Sequence, residues 1–136
     1  MEGTRNDLGH FPVDGQDGRA RRTFYRLTEK DGIKMISGTK CPALLSVWAS
    51  NDVVQFGTIQ ILAGGTGPQQ TEYDGHPGDA VFYILDGPVT FFCPDTTQTF
   101  HVEAGDYFFL PEKTRYKMIN YYGHTVKAVF MIAPEF

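Results

Sequence analysis

Residues 80–85 read Ala-Val-Phe-Tyr-Ile-Leu, an apolar and aromatic run with no polar position inside it. A polar, turn-rich stretch, Asp74-Gly75-His76-Pro77-Gly78-Asp79, leads into the run, and Asp86-Gly87 ends it with a hairpin-type turn signal. So short a run between turn signals, rich in bulky side chains, reads as a strand. Because it has no polar face, it must be covered on both sides, as inside a closed barrel or a sandwich. Glu72, Asp74 and His76 alternate through the lead-in, so in an extended chain they project from one face at the mouth of that strand. A β-barrel delivers polar groups into its interior in this way.

The rest of the chain agrees with an all-β reading. At 136 residues it is one domain, large enough to bury a core without disulfides or metals as staples. Fifteen glycines, eight prolines and eleven phenylalanines favour many short strands joined by tight turns. A net charge of −4 argues against non-specific nucleic-acid binding. Cys41 and Cys93 are too few for a disulfide framework and lack metal-site spacing, which suits free thiols in a reducing compartment. No run is long enough to span a membrane and the start lacks the apolar core of a signal peptide, so the expected location is cytoplasmic.

Residues 1–22 hold charges and glycines without apolar periodicity; we expect a flexible N-terminal tail there and a barrel domain over 23–136. Arg19, Arg21 and Arg22 read as a solvated surface run. Strands are expected at 23–28, 33–36, 56–63, 99–104, 115–120 and 126–133. Residues 89–93 are expected to return from the Asp86-Gly87 turn as a hairpin partner, and Tyr107 to Leu110 to form a buried strand. Cys41 to Ser50 contains the only tryptophan, Trp48, and is either a strand or a short helical turn. The count is about ten strands and no convincing helix, which fits a single antiparallel β-barrel or jelly roll.

Two stretches resemble the paired motifs of the cupin superfamily, whose fold is a double-stranded β-helix. The first motif in that family has a His-x-His pair, a Glu four residues on, and an apolar run closed by Gly. Here it reads Asp74-Gly75-His76, then Ala80, then Gly87. The second begins Gly-Asp, runs through an apolar strand to Pro, and then places His and Asn. Here it reads Gly105-Asp106-Tyr107-Phe108-Phe109-Leu110-Pro111, then Tyr116 and Asn120. The resemblance covers residues 45–134 and implies that Tyr116 enters the same cavity as His76. It also implies that two of the four metal-holding positions, Ala80 and Tyr116, have lost their usual ligands. Asp74 and His76 remain as donors, and Glu72 could bend in as a third, whereas a divalent ion needs three or four that converge. We therefore expect no cofactor; the alternative is a dioxygenase with a divalent metal such as Fe, Ni or Zn on Asp74 and His76.

The chemistry expected is proton transfer. His76 has an ordinary pKa suited to a general acid or base near neutral pH. The Tyr116 phenol can donate a hydrogen bond to a developing enolate or alkoxide. Asp74 or Glu72 could orient His76 or act as a base. Phe82, Ile84 and Met118, with Gln60 and Trp48, are expected to line the pocket, which suits a small, partly apolar or aromatic substrate. Isomerase, cyclase, epimerase or lyase chemistry beside a carbonyl fits these groups, and the resemblance supplies a precedent in metal-free sugar epimerases that use a His base and a Tyr acid. A second alternative is a non-catalytic cupin that only binds a small molecule. Expected partners are a small-molecule substrate and a second copy in a homodimer, with exposed aromatics such as Tyr121 and Tyr122 at the contact. Neither nucleic acid nor membrane is expected.

Overall fold

Alternation of apolar side chains organises this chain into strands wherever turn residues do not interrupt it. A computed structural model describes residue 24 and residues 26–37, 43–50, 54–67 and 74–133. The expected tail, Glu72 and Cys41 lie outside these residues. The strands are β1 (Ile33–Ser37), β2 (Ala43–Ser50), β3 (Gln55–Ile61), β4 (Thr66–Gly67), β5 (Asp74–Gly75), β6 (Asp79–Asp86), β7 (Val89–Cys93), β8 (Gln98–Val102), β9 (Tyr107–Leu110), β10 (Arg115–Ile119) and β11 (Val126–Ala133). They form a six-stranded sheet in the order β1-β2-β3-β11-β6-β9 and a five-stranded sheet in the order β4-β10-β7-β8, with β5 also on β10. Every pairing is antiparallel. The chain is an all-β jelly roll.

The inner faces of the two sheets close on one core. Ala80, Phe82 and Ile84 of β6 point inward, as do Phe130 and Ile132 of β11 and Phe91 of β7, and all are buried. Burying each large apolar side chain contributes about 1.5–3 kcal/mol, so this shared interior is what holds the sheets together. At the end of β10, Asn120 is fully buried. Its Nδ2 donates to the carbonyls of Ile61 (3.1 Å), Leu62 (3.2 Å) and His124 (2.7 Å), and its Oδ1 accepts from the Tyr122 amide (2.9 Å). An amide suits this place because it satisfies backbone groups left over where strands end.

Four expectations change. First, Asp86-Gly87 is not a hairpin: β6 pairs with β11 and β9, whereas β7 pairs with β10 and β8. The turn carries the chain from one sheet to the other, which local turn chemistry does not reveal. Gly87 is required there, since a Cβ would meet Ile84 Cγ2 at 2.9 Å and the Ala104 nitrogen at 3.1 Å. Second, neither β6 nor β9 is covered on both sides. Val81 and Leu85 face away from the core and are exposed, as are Tyr107 and Phe109. Third, residues 26–28 are not strand; Thr28 caps a 3-10 turn at Glu29–Asp31, its amide donating to Asp31 Oδ2 at 2.6 Å. Fourth, the polar, turn-rich lead-in holds a short strand, β5, which pairs with β10. Cys93 is a free thiol. Among the described residues no helix is long and apolar enough to cross a membrane.

Candidate active site

His76 follows β5, and its position is set by the backbone. Residues Asp74 and Gly75 pair with Tyr116 and Arg115 of β10, and the His76 carbonyl accepts from the Lys113 amide at 2.8 Å. Tyr116 alternates with Met118 on the inner face of β10 and is only 3% exposed. This register brings the two side chains together across 40 residues of sequence: His76 Nε2 and the Tyr116 hydroxyl share a hydrogen bond of 2.8 Å. Their ring centroids are 5.5 Å apart. Either the phenol donates to Nε2 and the imidazole proton sits on Nδ1, or Nε2–H donates to the phenol oxygen.

The surroundings are aromatic. Phe82 meets Tyr116 edge-on at 5.8 Å, and Phe91 lies 6.2 Å from it and 5.4 Å from Phe82. Burial disfavours the imidazolium, and it is the main reason the His76 pKa is lowered from 6.5 to about 4. At neutral pH the imidazole is therefore uncharged, with a lone pair available as an acceptor. A neutral imidazole bonded to a phenol can accept a proton through nitrogen and hydrogen-bond an oxygen anion through the phenol.

The other expected site residues divide. Phe82, Ile84 and Met118 share the buried interior with the pair. Glu72 and the side chain of Asp74 lie outside the described residues; the Asp74 backbone is held beside Tyr116. Gln60 and Trp48 do not join them. Gln60 is in register with Leu44 and Lys127, on the opposite face of β3 from Ile59 and Ile61. With Lys34, Ile36, Leu44 and Ser46 it lines an open groove of about 600 Å³ that includes neither His76 nor Tyr116. The ionisable group of that groove is already engaged: Lys34 Nζ donates to Ser46 Oγ at 2.9 Å and lies 3.7 Å from Glu29. We place the chemistry at the buried pair for that reason. Trp48 braces the same outer side, its Nε1–H donating to the Thr28 carbonyl at 2.9 Å and its ring lying 5.7 Å from Lys34 Nζ.

One interior group escaped the sequence reading. Gln55 alternates with Gly57, Ile59 and Ile61, so its amide points inward; it is 2% exposed and its Oε1 has no hydrogen-bond partner. Extending the period-two pattern of β3 by one more residue would have found it.

Comparison with known proteins agrees with this architecture. A family model described as "Cupin domain" matches residues 58–132. The chain belongs to the cupin family. Its fold is similar to that of the polyketide cyclase RemF from Streptomyces resistomycificus (18% identity, 83% of this chain and 81% of that one, TM-score 0.67). It is also similar to a predicted oxalate decarboxylase from Thermotoga maritima (15% identity, 80% and 98% covered, TM-score 0.67). An RmlC-like cupin from Shewanella frigidimarina gives 13% identity, 82% and 92% coverage and a TM-score of 0.64. No curated protein matches this cupin in sequence.

The metal-binding alternative rests on Asp74 and His76, and the Asp74 side chain lies outside the described residues. The His76 nitrogen that faces the interior is bonded to a phenol, and Ala80 has no donor atom. Among the described residues no three His, Cys, Asp or Glu side chains converge.

Proposed function

We propose that this cupin is a metal-independent enzyme that moves a proton next to a carbonyl group on a small, partly aromatic substrate. The observation that carries the reading is the 2.8 Å bond between His76 and Tyr116 inside an aromatic interior. A substrate carbonyl takes the phenol hydrogen bond, which frees the imidazole nitrogen. That nitrogen accepts the α-proton as the C–H bond breaks, and the electron pair moves onto the carbonyl oxygen as an enolate held by Tyr116. Return of the proton to another carbon gives isomerisation; attack of the enolate carbon on a second carbonyl gives cyclisation. Similarity of fold to a polyketide cyclase supports this class, since cyclisation of that kind proceeds through enolates. Phe82 and Phe91 favour a flat, apolar body in the substrate.

The test uses an aryl β-diketone in deuterium oxide, with α-proton exchange followed by NMR. The protein is expected to accelerate exchange, and chelator treatment is expected to leave the rate unchanged. His76→Ala and Tyr116→Phe should each remove at least about 100-fold of the acceleration, the lower range for a positioned acid or base. Binding of the diketone without any exchange would favour a non-catalytic binding protein, and exchange that survives in both folded variants would remove the pair from the mechanism.

A further inference from the structure

Two buried polar atoms inside the barrel lack hydrogen-bond partners, and the residues that carry them are neighbours. Ser50 ends β2, Gln55 begins β3, and the two stand in register. They are 1% and 2% exposed. Neither Ser50 Oγ nor Gln55 Oε1 has a hydrogen-bond partner among the described residues, the other included. Residues directly opposed on paired strands share a face, and Gln55 alternates with Ile59 and Ile61 of the core, so both side chains point inward. An unpaired buried hydroxyl or amide oxygen costs stability, and most such groups are satisfied. Two left open side by side mark a place that something else completes.

That place lies at the same end of the barrel as the His76–Tyr116 pair. The register runs from Gln55 to Ile132 and on to Ala80. Ala80 opens the inner face of β6, just after His76, and its single methyl takes up little of the interior. Phe82, which meets Tyr116 edge-on, lies one row deeper. Gln55 is thus two strand spacings from β6, roughly 10 Å. A substrate whose carbonyl sits at Tyr116 reaches Ser50 and Gln55 with its far end. The two atoms also select the group. Gln55 Oε1 accepts, and the Ser50 hydroxyl can donate. A hydroxyl answers both, giving its proton to the amide oxygen and its lone pair to the serine. A carboxylate has no proton for the amide oxygen, and an ammonium has no lone pair for the serine.

We propose that Ser50 and Gln55 form a subsite for a hydroxyl group on the substrate, remote from the carbonyl at which the proton moves. This subsite rests on the proton transfer proposed above and narrows its substrates to hydroxylated aryl ketones. A substrate without the hydroxyl leaves both atoms buried and unpaired, and that penalty is what gives such a site its discrimination.

The test compares a naphthyl β-diketone with its analogue carrying a hydroxyl on the distal ring. Dissociation constants are read by calorimetry and proton exchange by NMR. The parent protein is expected to bind the hydroxylated probe at least about tenfold more tightly than the plain one. Gln55→Leu and Ser50→Ala, checked for folding by thermal melting, should each remove most of that preference and leave binding of the plain probe within about twofold of the parent. A merely structural role would weaken both probes alike. Binding of the two probes alike by the parent, binding of neither, or a preference that survives in both folded variants would overturn the proposal and leave the two atoms to internal water alone. A hydroxyl preference without proton exchange would sink the proton transfer and keep the subsite, whereas accelerated exchange on two probes that bind alike would do the reverse.

Discussion

Two hydrogen-bonded His–Tyr pairs lie among the described residues, and only one of them is enclosed by the core. In the buried pair, His76 Nε2 and the Tyr116 hydroxyl are 2.8 Å apart, and Tyr116 is almost fully enclosed. In the outer pair, His101 Nε2 and the Tyr122 hydroxyl are 3.3 Å apart, and His101 is exposed. The residue types and the bonded atoms are the same. Burial makes the difference: it holds His76 neutral at physiological pH and places it against Phe82 and Phe91 through Tyr116, whereas water competes for every polar atom of the outer pair. A constellation of suitable residues becomes chemistry only when the fold removes solvent from it.

The largest test of this contrast is activity. His76→Ala and Tyr116→Phe are expected to lower diketone exchange by at least about 100-fold, and His101→Ala and Tyr122→Phe to change it by less than about twofold. Comparable losses at both pairs would break the comparison. Acid stability is the next test. Because the folded His76 pKa of about 4 lies below the ordinary 6.5, the unfolded chain binds more protons between those values. Stability contributed by neutral His76 is therefore complete above about pH 6.5 and lost as pH falls toward 4, by up to about 3 kcal/mol. Urea unfolding at both ends of that window should show a smaller acid loss in His76→Asn than in the parent.

Smaller effects sharpen the contrast. Removing the phenol oxygen with Tyr116→Phe leaves a half-buried imidazole nitrogen without that partner and should cost about 1–2 kcal/mol in chemical denaturation. Tyr122→Phe should stay within about 0.5 kcal/mol, as surface changes do. Gln55 supplies the opposite case, a buried carbonyl oxygen without a partner. Gln55→Leu is expected to raise the melting temperature slightly, with a gain of about 1 kcal/mol, because a desolvated carbonyl oxygen without a partner is removed. A lowered melting temperature would show that the amide has work in the folded chain.

Much of this was legible beforehand, for identifiable reasons. The alternation in 115–120 predicts that Tyr116, Met118 and Asn120 share a face, and they are buried together. The polar lead-in puts His76 just ahead of the apolar strand, and it lies between β5 and β6. The reading went astray where one local signal fits two architectures. Asp86-Gly87 looks like a hairpin but changes sheets, and the 80–85 run looks enclosed but is half open. The sequence reading puts Gln60 in the pocket, whereas Ile59 and Ile61, the more apolar pair, hold the inner side of β3.

By itself, the sequence determined that this chain is a stack of short strands, and which side chains travel together on each strand. Both follow from a period of two and from turn residues, which act over a few positions. Only the tertiary structure decided which face of each strand meets the opposing sheet, and that His76 and Tyr116, which the resemblance puts in one cavity, share a hydrogen bond. The pairing of β5 with β10 sets that distance, and a register between segments 40 residues apart is chosen by the packing of the whole barrel.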